Sequence, residues 1–237
     1  VNYINPEINN QKSTIPGGTP YFKRSFDERE KIFFSSCCPK KYVNARLDTA
    51  EYIPKSILNY CRDWAKNPTS IFITGSVGVG KTYLAFSMLR EIFKVHGSRY
   101  WPKYLTSPAL DSKLLQAILS PQGDSFDLQS WIEEDVLFID DFGRERHNDR
   151  IQQQYFTLMD GRYVEERPTI ITSNLSLSQV YEVMGDAIAS RISEWPCLEI
   201  EGRDNRKDMF HKNEWKRLQD DYQKFNQESI NQEGKIS

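Results

Sequence analysis

Residues Gly75-Ser76-Val77-Gly78-Val79-Gly80-Lys81-Thr82 carry the spacing G-x-x-x-x-G-K-T, and no other stretch restricts the fold so tightly. In a loop of this composition successive backbone N–H groups turn inward and form a concave anion site. The site works only where a strand runs into a helix N-terminus, because the helix supplies unpaired N–H groups and the positive end of its dipole. The flanks agree: residues 70–74 are a β-branched and aromatic run, and Leu84, Met88, Leu89, Ile92 and Phe93 recur at helical spacing before Gly97. The expectation is a nucleoside triphosphate held by Gly75, Ser76, Val77, Gly78, Val79, Gly80, Lys81 and Thr82, with Tyr83 beside them. Lys81 would reach the β- and γ-oxygens, and the Thr82 hydroxyl would ligate Mg²⁺. The competing reading is a glycine-rich surface turn that binds nothing.

A second segment supplies what a phosphate loop lacks. Residues 136–141, Val-Leu-Phe-Ile-Asp-Asp, form an apolar strand ending in two carboxylates. In a parallel sheet the C-terminal strand ends share one edge, so these acids approach the loop. Asp140 is expected to hold Mg²⁺ with Thr82, and Asp141 to polarise the attacking water as general base. The alternative is that both acids cap the following turn. A third apolar strand, 168–173, ends at Asn174, a neutral amide able to hydrogen-bond the γ-phosphate or the lytic water without adding negative charge. By periodicity alone Asn174 is more often an N-cap for the next helix.

Strand and helix alternate along the core. Strands are expected at 70–74, 100–105, 135–140, 168–173 and 197–201, and helices at 54–66, 81–95, 108–119, 149–165 and 186–193. This alternation predicts an α/β fold, a three-layer α/β/α P-loop NTPase with a parallel five-stranded sheet. Residues 1–38 are polar and rich in turn formers, and are expected to be a weakly ordered arm. Residues 39–211 are expected to form the ATPase domain, and 212–237 a polar helical tail in which Trp215, Leu218, Tyr222 and Phe225 share one face.

The chain's net charge of −2 does not advertise a nucleic-acid protein, although a local basic patch remains compatible with one. No apolar run is long enough to span a bilayer, and residues 1–6 show no secretory pattern, so no membrane role and a cytoplasmic address are expected. Cys37, Cys38, Cys61 and Cys197 form no C-x-x-C pair and read as reduced thiols.

Five strings occur in order: IFITGSVGVGKTYLA, VLFIDDFG, RPTIITSNLS, AIASRIS and EGRDNRK. From about Pro39 to Lys207 the chain resembles AAA+ ATPases of the group containing bacterial replicative-helicase loaders (DnaC- and DnaI-type) and the IstB-type transposition helper. The resemblance implies Asn174 as the sensor 1 residue and Arg191 as an arginine finger inserted into a neighbouring subunit's site. It also implies Arg206 as a second sensor, with Arg203 its local competitor. A rigid, permanent charge suits the finger role, and a surface salt bridge is the plainer reading of Arg191. The chain departs from many AAA+ proteins in placing Asp141 where they have Glu, and in leaving little or no sequence for a C-terminal helical lid.

Arg99-Tyr100-Trp101-Pro102-Lys103-Tyr104 interleaves rings with cations, the chemistry of single-strand binding, so Arg99, Tyr100, Trp101 and Lys103 are candidate DNA contacts. Strand alternation would bury half of these rings, and Pro102 points to a sheet edge. Lys40, Lys41 and Arg46 form a second basic group that reads as a solvated face. The reading these features support is an ATP- and Mg²⁺-dependent ATPase acting in DNA transactions, as a helicase-loader-like or transposition-helper protein. Its expected partners are ATP and ADP, single-stranded or duplex DNA, a replicative helicase or transposase, and further copies of itself. The rival is a nucleotide-gated adaptor that scarcely hydrolyses ATP and recruits a protein; a P-loop kinase is disfavoured because no acceptor lid is visible.

Overall fold

The computed structural model describes residues 25–119, 127–143 and 149–205. Five strands form one all-parallel sheet: β1 (Ile71–Gly75), β2 (Pro102–Thr106), β3 (Val136–Asp140), β4 (Thr169–Ser173) and β5 (Cys197–Ile200). The spatial order is β2-β3-β4-β1-β5. Alternation of side chains along each strand divides the core into two layers. Ile71, Ile73, Val136, Phe138 and Ile170 face one side, where α2 (Lys55–Trp64) and α3 (Lys81–His96) cover them. Phe72, Leu105, Leu137, Ile139 and Ile171 face the other. There they pack on α4 (Ser107–Leu119), the short α5 (Leu128–Ile132), α6 (Asp149–Val164), α7 (Leu177–Met184) and α8 (Asp186–Ser193). This is the expected α/β/α sandwich, with strand bounds within two residues of those read from the sequence. Pro102 opens β2 at the sheet edge, as a residue without an N–H requires.

The order of strands matters more for the site than their number. β4 is inserted between β1 and β3, so the tip carrying Asn174 stands between the phosphate loop and the acid pair. Cross-strand bonds tie the tips together: Phe142 N donates to Thr172 O (2.9 Å), Ser173 Oγ to Phe142 O (2.7 Å), and Thr74 Oγ1 to Leu175 O (2.7 Å).

One expectation is corrected at the N-terminal side. Residues 26–37 are not weakly ordered but form a helix, α1 (Phe26–Cys37), with Ser25 and Glu28 closing a capping box. Phe33 and Phe34 are buried against Phe93 of α3. Glu30 pairs with Arg90 at 2.7 Å, and that guanidinium also donates to Ala45 O and Val43 O and lies 3.9 Å from the Phe34 ring centroid. The aromatic cluster and the Glu30–Arg90 pair together hold this segment on the domain. The earlier part of the arm (residues 1–24), the 120–126 loop and the tail from 206 onward lie outside the described residues.

On the opposite face Arg162 is almost fully buried at 1% exposure. It donates to Trp131 O, Ile132 O, Glu134 O, Pro168 O and Thr169 Oγ1 at 2.7–3.0 Å, fastening the end of α5 and the starts of β3 and β4 to α6. All four cysteines are free; burial pushes the thiols of Cys37, Cys38 and Cys61 up to about 12, which leaves them protonated and unreactive at neutral pH. Among the described residues no helix is long and apolar enough to cross a membrane.

Candidate nucleotide site

β1 ends at Gly75 and α3 starts at Lys81, so residues 75–80 form a loop whose last member, Gly80, precedes the helix in a left-handed conformation (φ 102°). A side chain there is excluded twice. The backbone angle disfavours one, and a Cβ would sit 2.4 Å from the Tyr52 ring. Gly78 is similar: a Cβ would collide with the Asp204 carboxylate, and Asn205 N donates to Gly78 O at 3.1 Å. The loop is thus clasped by the segment after β5 on one side and by Tyr52 on the other. A concave backbone cradle at a helix N-terminus, shaped by residues that a Cβ would displace, fits a nucleotide phosphate.

Lys81 is folded across this cradle and is 6% exposed. Its Nζ donates to Gly75 O (2.8 Å), Ser76 O (2.8 Å) and Asn174 Oδ1 (2.7 Å). Three sequence-predicted groups therefore meet: loop, lysine and the tip of β4. Next to them Thr82 Oγ1 donates to Asp140 Oδ1 at 2.8 Å. Thr172 Oγ1 donates to the same oxygen and accepts from Asp141 N at 3.2 Å; Tyr104 Oη stands 3.5 Å from Asp140 Oδ2. Burial raises the Asp140 pKa above the ordinary aspartate value; the Thr172 and Thr82 hydrogen bonds oppose that shift, and the neighbouring Asp141 charge adds to it. Asp141 is partly exposed and holds a positive φ of 57°, a backbone angle that costs energy for a residue with a side chain.

The donor set fits Mg²⁺. Thr82 and Asp140 offer hard oxygens side by side at the mouth of the cradle, and no group of three or more His, Cys, Asp or Glu residues able to hold a metal exists among the described residues. A magnesium ion suits this arrangement, because it is held by one or two carboxylates together with substrate phosphates and not by a dedicated protein cage.

Tyr83 points elsewhere than at the phosphate cradle. Its hydroxyl accepts from Arg46 N (3.3 Å), shares a hydrogen bond with Thr49 Oγ1 (2.7 Å), and its ring meets Tyr52 edge-on at 6.1 Å. Tyr52 and Thr172 are site residues that sequence reasoning missed. Tyr52 sits in no motif, whereas Thr172 is the residue two before Asn174 and was readable as facing the same way.

Arg191 stands apart from the cradle. Its guanidinium binds Asp160 of α6 through Nε (2.9 Å) and Nη2 (2.8 Å) and lies over the Tyr163 ring at 4.8 Å. Arg206 lies outside the described residues; Arg203 is exposed. The candidate DNA segment lies at the start of β2, the end opposite Thr106, which is in register with Asp140. Trp101 packs edge-on against Phe33, Tyr100 packs on His96, and Lys103 pairs with Glu134 at 3.4 Å, while Arg99 is exposed. Two of the expected stacking rings thus already have partners within the fold.

Known proteins share this fold. The DnaC helicase loader superposes with a TM-score of 0.59 at 27% identity, over 69% of this chain and 100% of that chain. The replication initiator DnaA bound to AMPPCP and single-stranded DNA gives 0.58 at 22% identity, over 70% and 51%, and shares the fold. In sequence, the DnaA protein of Thermoanaerobacter sp. (strain X514) is 29% identical over 134 residues, 56% of this chain and 29% of its own length. The ATP-binding protein ascribed to insertion sequence IS1162 of Pseudomonas fluorescens is 31% identical over 119 residues, 49% of this chain and 48% of its own. The chain therefore spans less than half the length of either of these relatives. The family described as IstB-like ATP binding protein matches residues 52–193, more than half of the chain and all of the cradle, acid pair and Arg191. The chain belongs to the family of IstB-like ATP binding proteins.

Proposed function

We propose that this protein binds and hydrolyses ATP at the tips of β1, β3 and β4, and works in DNA replication or transposition as a helicase-loader-like or transposition-helper ATPase. The observation that carries this reading is the bonded chain Asn174–Lys81–loop beside Thr82–Asp140–Thr172. It presents a cation, an amide and a carboxylate to one cradle. In this role the loop amides and Lys81 hold the phosphates, and Thr82 and Asp140 hold Mg²⁺, which when bound offsets charge on the phosphate oxygens. Asp141 accepts the proton of the attacking water, which Asn174 helps to place. Arg191 of a neighbouring copy meets the γ-phosphate, so that turnover follows assembly.

Partners follow from the relatives: single-stranded DNA, as named for the DnaA structure, and a helicase or a transposition complex, as the DnaC and insertion-sequence relatives suggest. A nucleotide-gated adaptor is the second reading, favoured by one feature. Asp141 is a short acid whose backbone N–H is fixed to Thr172, so its reach toward a water is limited. The test is calorimetry of ATP binding with Lys81→Ala, paired with hydrolysis measured with and without single-stranded DNA. Loss of one charge-assisted phosphate contact costs about 1.5–3 kcal/mol, or roughly tenfold to a hundredfold in affinity. Unchanged affinity refutes the site; tight binding with no turnover under either condition selects the adaptor.

A further inference from the structure

Arg191 is surrounded in a way that a surface arginine does not require. One edge of its guanidinium is held by a single oxygen, Asp160 Oδ1, through both Nε and Nη2. Its flat face rests on the Tyr163 ring, and the Tyr163 hydroxyl donates to Glu194 Oε2 at 2.7 Å, so the ring is itself fixed. Glu194 remains 4.0 Å from Nη1, beyond hydrogen-bonding distance. Arginine has five N–H donors; Asp160 accepts one from Nε and ion-pairs with Nη2, and Nη1 has only the long ion pair with Glu194, so its N–H groups can serve another acceptor. Both carriers sit on the last turns of α6, the segment that the buried Arg162 locks to β3 and β4. The support under Arg191 is accordingly rigid, although Arg191 and Asp160 are each about one-third exposed.

We propose that Asp160 and Tyr163 are positioning residues that hold the Arg191 guanidinium in place for the triphosphate of a neighbouring subunit. The proposal rests on the reading of Arg191 as the group that completes the site of an adjacent copy. Long side chains lose rotamer freedom when they bind, and an arginine held at Nε and stacked on a ring has already lost it. Asp160 touches neither nucleotide nor water in this scheme and acts only through Arg191.

The test is subunit mixing with full-length protein, ATP, magnesium and single-stranded DNA. Donor subunits carry Asp141→Asn, which keeps the phosphate cradle and Arg191. Acceptor subunits carry Arg191→Ala, which keeps the acid pair. Hydrolysis in the mixture, absent from either variant alone, reports an arginine acting across subunits. Adding Asp160→Ala to the donor is expected to lower kcat of the mixture about threefold to tenfold, the scale set by one immobilised arginine, with KM for ATP unchanged. Asp160→Asn in the donor restores most of the rate, because its Oδ1 still accepts from Nε. The same Asp160→Ala in the acceptor, whose Arg191 is gone, has nothing to orient and leaves the rate as it was. An equal loss in either subunit means that Asp160 is merely structural and overturns the proposal. An unchanged or increased rate with the donor variant overturns it too. If the unmodified donor and acceptor fail to complement, the reading of Arg191 falls first and the proposal falls with it.

Discussion

Thr172→Val is the most discriminating substitution the site offers, because it removes one hydroxyl while preserving shape. Thr172 is buried at 1% exposure, donates to Asp140 Oδ1 and accepts from Asp141 N. A hydrogen bond to a charged group contributes about 1.5–3 kcal/mol, so its loss corresponds to roughly a tenfold to hundredfold effect. That range matches the usual cost of removing a group that orients a metal ligand. The expected result is that the advantage of Mg·ATP over metal-free ATP shrinks at least about tenfold, with metal-free binding nearly unchanged because Lys81 and the loop are untouched. Thr172→Ser, which keeps the hydroxyl, retains most of that advantage. Titration calorimetry with Mg²⁺ and with a chelator measures both quantities. Equal ratios in wild type and Thr172→Val refute the assignment of Asp140 to the metal. The pH dependence has a defined sign. Burial raises the Asp140 pKa and the Thr172 bond lowers it, so Mg·ATP affinity is lost as pH falls through that raised value, and the loss begins at higher pH in Thr172→Val. In the metal-free protein the folded state binds this proton more tightly than the unfolded chain. Stability therefore declines as pH rises from the ordinary aspartate value through that of Asp140, which thermal melts can follow.

Arg191→Ala should leave ATP binding intact in calorimetry yet reduce assembly-dependent hydrolysis by about a thousandfold or more, the usual scale for such an arginine; a variant that turns over like wild type excludes the role. Arg162→Met should destabilise the domain by about 4 kcal/mol in urea, since four carbonyls and the Thr169 hydroxyl lose a donor in a dry interior; a loss under about 1 kcal/mol would show that those oxygens find other partners. Glu30→Ala should release α1 by leaving Arg90 short of its anion, at a cost of about 3 kcal/mol, and should expose the chain before Pro39 to limited proteolysis. Unchanged cleavage would mean that Phe33 and Phe34 dock the helix unaided.

Motifs were legible where chemistry demands residue types at short spacing. Residues 75–82 and Asp140-Asp141 announce themselves because phosphate and metal need glycines, a lysine, a hydroxyl and a carboxylate in neighbouring positions. The sandwich was legible too, since short apolar, β-branched runs and helical repeats alternate from residue 70 onward. What could not be read was the insertion of β4 between β1 and β3: strand order depends on how crossovers pass over the sheet, and no local pattern encodes it. Helix α1 escaped because its buried residues, Phe33 and Phe34, are adjacent and give no 3.6-residue repeat, although Ser25 and Glu28 spelled out its start. Thr172 shares its strand face with Asn174, but its bond to Asp140 and that of Asp160 to Arg191 join residues 32 and 31 positions apart, which no local pattern encodes. Tyr100 and Trp101 were readable as aromatic but not as already engaged, because their partners His96 and Phe33 come from separate elements.

The bond from Asn205 N to Gly78 O ties the chain leaving β5 to the middle of the loop that grips phosphate. Grip and outgoing chain are therefore mechanically coupled: nucleotide arrival that reshapes the loop tugs on the segment that follows β5, and strain in that segment reaches the loop.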